Sequence, residues 1–237
     1  PPADDLADHY DTAYHEAHYG AERRRKALTA RLLVRQIEGL CHRRGLTERT
    51  VLDIGCSLGH FLRAAAAAGW DAWGVDVGPA VIAQCRREGL QVQVAGMGHL
   101  PFADNRFAVV QARHVLEHDL QVRHNLTEMK RVLQPGGLLV IEVPDCASPK
   151  VVRRGDRYSK FWTPDHVVGF TPATLARFAA EVGLQPVPYA PLSGLREGHS
   201  GSAARFFAWR VAQLARQAAG SAKAFLTVWT KPVEERL

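Results

Sequence analysis

The sequence has little that would set it apart from ordinary globular proteins. Across its 237 residues no apolar run reaches 18 before a charge interrupts it, so no helix is expected to span a membrane. No basic start followed by a short apolar core is read at the beginning, so no signal peptide is expected. The four cysteines, Cys41, Cys56, Cys85 and Cys146, stand far apart, with no CxxC pair and no Cys/His spacing of a zinc site. Four reduced thiols in a cytoplasmic protein are the expectation. No repeat, low-complexity linker or second independent domain is read, which leaves one α/β domain with additions. Lysine is scarce, 6 residues against 24 arginines, and alanine is abundant; this reflects genome composition rather than chemistry.

What is present is a basic stretch. Residues 21–50 hold nine Lys/Arg (Arg23, Arg24, Arg25, Lys26, Arg31, Arg35, Arg43, Arg44, Arg49) against Glu22, Glu38 and Glu48, which accounts for the whole net charge of +6. Basic helices can serve nucleic acid. Here the charges alternate with Leu28, Leu32, Leu33, Ile37 and Leu40, the pattern of an amphipathic helix with a solvated basic face.

Beyond residue 48, strand and helix signals alternate. Thr50–Ile54, Ala72–Val75, Leu90–Val94, Phe107–Gln111 and Leu138–Val143 read as short buried strands. Gly59–Ala68, Ala80–Glu88, Val122–Leu133 and Thr171–Val182 read as helices, with Pro79 and Pro172 in first turns and Gly69, Gly89 and Gly183 just past the ends. The helix before Pro135-Gly136-Gly137 is expected to stop there and the fifth strand to start after it. This βαβα order predicts a doubly wound, mostly parallel sheet with helices on both faces. Ligands in such sheets sit beyond the strands' carboxyl ends, where strand order reverses.

The segment Val51-Leu52-Asp53-Ile54-Gly55-Cys56-Ser57-Leu58-Gly59 runs from a strand through a glycine turn into a helix. Small residues let a ligand approach the backbone, and the helix start offers free amides. A dinucleotide fold would place a pyrophosphate there. Asp53, just ahead of the first glycine, repels a phosphate and suits an ammonium group; S-adenosylmethionine carries an amino-acid end and no phosphate. Asp76 ends the second strand 23 residues later, the spacing at which an acid takes both ribose hydroxyls.

The segments VLDIGCSLGHFL, GVDVGP, LPFADNRFAVVQARHVLEH, RVLQPGGLLVIEVPD and HVVGFTPATLARFAAEVGL resemble the successive motifs of class I S-adenosylmethionine-dependent methyltransferases. They are most similar to the small-molecule branch that includes ubiquinone and sugar or antibiotic O-methyltransferases. The resemblance covers roughly residues 48–188. It implies a Rossmann-like, seven-stranded sheet with an antiparallel last strand, placed at Phe225–Trp229, and S-adenosylmethionine as cofactor with S-adenosylhomocysteine as product. It implies that Asp53, Gly55, Cys56, Ser57 and Gly59 face the methionine end and sugar. Asp76 would hold the ribose, Val77, Met97 and Gly98 would line the adenine, and Arg113 and His114 would lie under the methionine and sulfonium. Three positions depart from the family pattern: Ser57 replaces a glycine, Gly96 stands where an acid often reads the adenine amino group, and Ala108 replaces an aspartate.

An oxygen or nitrogen acceptor has a proton to lose, and a histidine is the expected base. His114, His118 and His166 are the candidates, with Asp165 placed to orient an imidazole. His114-Val115-Leu116-Glu117-His118 also fits the HxxEH zinc pattern. That reading is set aside because the same letters fall where the methyltransferase branch has a similar segment and no separate third ligand is signalled, so no metal is expected. Residues 1–47 read as an N-terminal helical cap, in which Tyr10, Tyr14 and His18 share a face and Tyr19 is a candidate cofactor contact. Residues 48–237 read as the cofactor-binding domain, with a helical insertion at about 196–222. Its helix at 203–218 reads as a lid, a subunit interface or a peripheral membrane contact. The expected reaction is transfer of a methyl group to a small-molecule acceptor, at oxygen, with histidine-assisted deprotonation. The alternatives are an RNA methyltransferase, although no nucleic-acid module or NPPY motif is present, and a cofactor-binding protein without catalysis.

Overall fold

The computed structural model describes residues 23–155, 163, 165–188 and 224–233. Tyr10, Tyr14, His18, Tyr19 and the helix expected at 203–218 lie outside them. The described chain runs α1 (Arg23–Arg43), β1 (Thr50–Ile54), α2 (His60–Ala67), β2 (Asp71–Asp76), α3 (Pro79–Arg87), β3 (Gln91–Val94) and β4 (Phe107–Arg113). A 3₁₀ turn (Leu116–His118) leads into α4 (Val122–Val132), β5 (Leu133–Pro144), α5 (Pro149–Arg154), α6 (Pro172–Glu181), β6 (Gln185–Pro186) and β7 (Ala224–Thr230).

The seven strands form one sheet in the order β3-β2-β1-β4-β5-β7-β6. Strands β1 to β5 pair in parallel, and β7 lies antiparallel to both β5 and β6. The sheet is therefore Rossmann-like, with the expected antiparallel last strand at the expected place. Adjacent residues within a strand enter opposite cores, as a period of two requires. Val51, Val109, Leu138 and Val140 join α1, α2 and α3 on one face, while Leu52, Val110, Leu139 and Ile141 join α4 and α6 on the other. Helix α1 buries Leu33, Val34, Ile37 and Leu40 in the first core and leaves Arg31, Arg35 and Arg43 exposed, as an amphipathic helix does, but Leu28, expected on the apolar side, is exposed and Leu32 half-buried. No helix among the described residues is long and apolar enough to cross a membrane.

One boundary differs from expectation. Strand β5 begins at Leu133, five residues early, and takes Pro135-Gly136-Gly137 into its length as a register shift against β4. The Gly136 amide donates to the Lys231 carbonyl at 2.8 Å. A Cβ at Gly137 would meet the backbone oxygens of Gln134 and Ala108 at 2.8 and 2.9 Å, so this close crossing of β4 needs glycine. Tertiary pairing overrides the local turn signal. Strand order reverses at β1 and β4, so the carboxyl ends of these strands mark the ligand crevice.

Candidate cofactor and acceptor site

The chain leaves β1 through Gly55, at φ +71°, where a Cβ would collide with Val115. Glycine is needed there both for the left-handed turn and for that approach. The Gly55 and Cys56 amides donate to the Val75 carbonyl at 2.9 and 3.0 Å, locking the turn against β2. Ser57 sits at φ +48° in a family glycine position, and Gly59 caps α2. The Asp76 carboxylate is buried and takes two backbone amides: Ser57 donates to Oδ2 at 2.9 Å and Gly78 to Oδ1 at 3.0 Å. Asp76 thus ties the glycine turn to the loop after β2. Cys56 is buried in the same turn; desolvation, together with the Asp53 and Asp76 carboxylates, pushes its thiol well up, so it packs as an inert group.

Asp53 is buried one strand inward, and its Oδ1 accepts a hydrogen bond from Gln111 Nε2 at 2.8 Å. Burial raises its carboxyl to about 7, against the opposing pull of the Gln111 hydrogen bond and the Arg113 charge, with Asp76 adding to the rise. On the far side of Asp76, Ala95 donates to the Asp76 carbonyl at 3.1 Å, which brings the loop after β3 beside Val77. Val77, Met97 and Gly98 are half-buried in this neighbourhood. His124 Nε2 donates to the Gly98 carbonyl at 2.8 Å. At Gly96 the nearest atom to a would-be Cβ is Val77 Cγ1 at 3.8 Å, so the position without the family's acid stays roomy.

The end of β4 is built from charge. Arg113 sends Nε and Nη2 to one oxygen of Glu142, at 2.7 and 2.6 Å. Burial opposes the charge on Glu142, but Arg113 and His114 outweigh it and hold the carboxyl far below the usual carboxylate range. His114 turns the chain out of β4 at φ +54°, a conformation rare for a non-glycine residue and concentrated at functional sites. Its amide donates to the Glu142 carbonyl at 2.8 Å. Its ring lies between two carboxylates, with Nδ1 3.3 Å from Glu117 Oε1 and Nε2 3.3 Å from Glu142 Oε1. The imidazole thus faces a carboxylate at each ring nitrogen.

Glu117 and His118 lie on the 3₁₀ turn. Glu117 is 1% exposed, and neither carboxylate oxygen receives a hydrogen bond. Burial pushes its carboxyl up, but His114 and His118 overcome this and hold it below the usual range. The Glu117 carbonyl accepts from the Val167 and Val168 amides at 2.9 and 3.1 Å. These two bonds stitch the segment before α6 onto the turn and set the His166 ring 5.1 Å from that of His118. His118 Nδ1 donates to the Asp165 carbonyl at 2.8 Å, with the Asp165 carboxylate at 3.6 Å. Asp165, the neighbour of His166 in sequence, thus meets the His118 imidazole, and mainly through its backbone carbonyl.

The structure thus brings together Asp53, Gly55, Cys56, Ser57, Gly59 and Asp76 on one side, and His118 with His166 on the other; His114 points between Glu117 and Glu142. Gln111 and Glu142 were not among the expected site residues. Their signal was a polar residue near the carboxyl end of a largely apolar strand, in FAVVQAR and LLVIEVP. Among the described residues, Asp53, Asp76, Glu117, Glu142 and Asp145 are buried carboxylates near these strand ends, faced by the Arg113 guanidinium and the His114 ring.

A methyltransferase-domain family model matches residues 15–189. An uncharacterized methyltransferase of Mycobacterium tuberculosis is 39% identical over 98 residues, 39% of this chain and 38% of that protein. The chain thus spans well under half the length of this curated relative. Among solved structures, the fold is similar to a complex between the Haloferax volcanii Trm112 methyltransferase activator and a protein assigned as a methyltransferase. That match has a TM-score of 0.66 and 20% identity, covering 95% of this chain and 97% of the other. It is also similar to a SAM-dependent methyltransferase of Archaeoglobus fulgidus, with a TM-score of 0.56 and 19% identity, covering 84% of this chain and 94% of the other.

Proposed function

This chain belongs to the methyltransferase-domain family, and on that footing we propose that it transfers a methyl group from S-adenosylmethionine to a small-molecule acceptor, at oxygen, releasing S-adenosylhomocysteine. The observation that carries the reading is the group of buried carboxylates, Asp53 and Asp76 foremost, that the described residues place at the strand-order switch. Left to themselves, such charges repel one another and cost desolvation. A ligand with an ammonium and a sulfonium offsets both, whereas a pyrophosphate would add to them.

When bound, S-adenosylmethionine supplies an electrophilic methyl on a cationic sulfur, which the acceptor's oxygen takes as the carbon–sulfur bond breaks. Asp53 holds the ammonium end, and Asp76, already fixed by two amides, offers its remaining lone pairs to the ribose hydroxyls. Val77, Met97 and Gly98 form the adenine wall. The Arg113–Glu142–His114 array braces the floor under the reacting centre. His118, oriented by the Asp165 carbonyl, assists removal of the acceptor's proton, with His166 beside it. Holding the acceptor in line with the methyl supplies much of the rate.

Calorimetry with S-adenosylmethionine and S-adenosylhomocysteine tests the cofactor half. Both should bind at one site, and binding by neither defeats the reading. For the acceptor half, His118→Ala is expected to lower turnover on a hydroxylated acceptor by roughly 10²-fold or more while leaving S-adenosylhomocysteine affinity within about twofold. An unchanged rate would remove His118 from proton transfer.

A further inference from the structure

We propose that Glu117, His118 and His166 form a binding site for a divalent first-row transition-metal ion, and that this ion is how His118 assists the acceptor's deprotonation. The inference rests on the methyl-transfer reading for its chemistry, but not for its existence. One ligand atom from each of the three side chains lies within 4.8 Å of the other two. Ligands of such an ion stand about 3.0–3.5 Å apart when each bond is about 2.1 Å, so small inward side-chain movements complete the triad.

Three observations point to a cation rather than to simple packing. The Glu117 carboxylate is almost wholly buried and neither oxygen receives a hydrogen bond, with His114 Nδ1 standing 3.3 Å from Oε1. A buried carboxylate left in that state is costly, and a cation satisfies it. His118 donates Nδ1–H to the Asp165 carbonyl at 2.8 Å, the kind of outer-shell bond that fixes the tautomer and orientation of a metal-ligating imidazole. The third ligand, absent from the HxxEH string, arrives from 48 residues downstream, because Val167 and Val168 bind the Glu117 carbonyl. The string is thus used differently from the zinc pattern it matches. His114 faces Glu142, and Glu117 replaces it as the partner of His118.

Two imidazoles and one carboxylate favour Zn²⁺, Co²⁺, Mn²⁺ or Fe²⁺ over Mg²⁺ or Ca²⁺, and they leave coordination positions open. An acceptor hydroxyl binds at one of them and releases its proton to solvent. Its oxygen then forms the bond to the methyl carbon as the carbon–sulfur bond breaks, with one proton released per turnover.

The test uses the full chain stripped with a chelator and titrated with Co²⁺, then displaced with Zn²⁺, with and without S-adenosylhomocysteine. One equivalent of Co²⁺ should bind, giving the visible absorption of nitrogen- and oxygen-ligated cobalt without a thiolate charge-transfer band, and an equal concentration of Mg²⁺ should not displace it. Affinity should fall by roughly thirtyfold or more in His166→Ala and in Glu117→Gln, and stay unchanged in His42→Ala, an exposed histidine elsewhere. Since Glu117 is buried, His166→Ala decides the matter if the Gln variant unfolds. Absence of one-equivalent binding, a thiolate band, or undiminished affinity in His166→Ala overturns the site. S-adenosylhomocysteine affinity is read on the same samples: its loss in the parent chain would defeat the cofactor reading, while the cobalt titration still decides the metal site.

Discussion

The two halves of the crevice hold their acids by different means. At the ends of β1 and β2 the backbone does it: Asp76 takes the Ser57 and Gly78 amides, both within 19 residues of it. At the ends of β4 and β5 side chains do it: Glu142 takes Arg113 and His114 from 29 and 28 residues away, and the Glu117 carboxylate receives no hydrogen bond. A backbone donor cannot be mutated away, so the first half is robust and can afford to hold a ligand's fixed end. The second half depends on charges that must balance one another in a nearly dry environment. It is the half whose substitution should propagate, and the half free to vary with the acceptor.

The largest test of this contrast is Glu142→Gln. It leaves Arg113 and His114 half-buried without their counter-charge, a change expected to cost about 3–5 kcal/mol in urea unfolding at pH 7. The pH dependence follows from the sign of the shift. Because the folded-state carboxyl is depressed, its contribution is present above the ordinary carboxylate range and is lost as pH falls through the lower, folded value. The unsubstituted chain should therefore lose stability on acidification more steeply than the Gln variant. Equal midpoints at pH 7 would show that the β4–β5 array is not what secures this half.

On the other side, Asp76→Ala is expected to weaken S-adenosylhomocysteine binding by roughly 1–3 kcal/mol, the usual loss on removing a buried charged partner. Asp76→Asn should fall between, since its one amide oxygen can still accept a backbone N–H. Calorimetry checks both, and unchanged affinity in the Ala variant would contradict the ribose assignment.

The same contrast governs what could be read from the sequence. The cofactor half is contiguous: strand, glycine turn, helix, strand and acid fall between Val51 and Asp76, so Asp53, the turn and Asp76 were legible as a unit. The sheet was legible because apolar runs with flanking glycines mark each parallel strand. The early start of β5 was not, because the Lys231 carbonyl and the β4 backbone that hold Gly136 and Gly137 lie far away in sequence. Glu142 and Gln111 showed only as polar residues in apolar strands, with nothing to say what they meet. The pairing of His118 with His166 depends on two amides of the intervening segment docking on Glu117, an event of tertiary packing that spacing alone cannot express.

The smallest expected effect returns to the cofactor half, where Asp53 is the exception to backbone control. Its one hydrogen bond is from the Gln111 side chain, and the charges facing it are Arg113 and Asp76. With burial raising its carboxyl to about 7, much of it is protonated in the free protein near neutrality. An ammonium group favours the carboxylate, so ligand binding must release that proton, and affinity must fall as pH drops below 7. Between pH 6 and pH 7.5, S-adenosylhomocysteine affinity should therefore rise by about eightfold, the factor a single group titrating near 7 allows. Asp53→Asn should bind more weakly at pH 7.5 and show no such slope. A slope that survives in the Asn variant would assign the titration to another group and place the ammonium away from Asp53. A slope that vanishes would make the least backbone-anchored acid of the cofactor half the one that reads the ligand's charge.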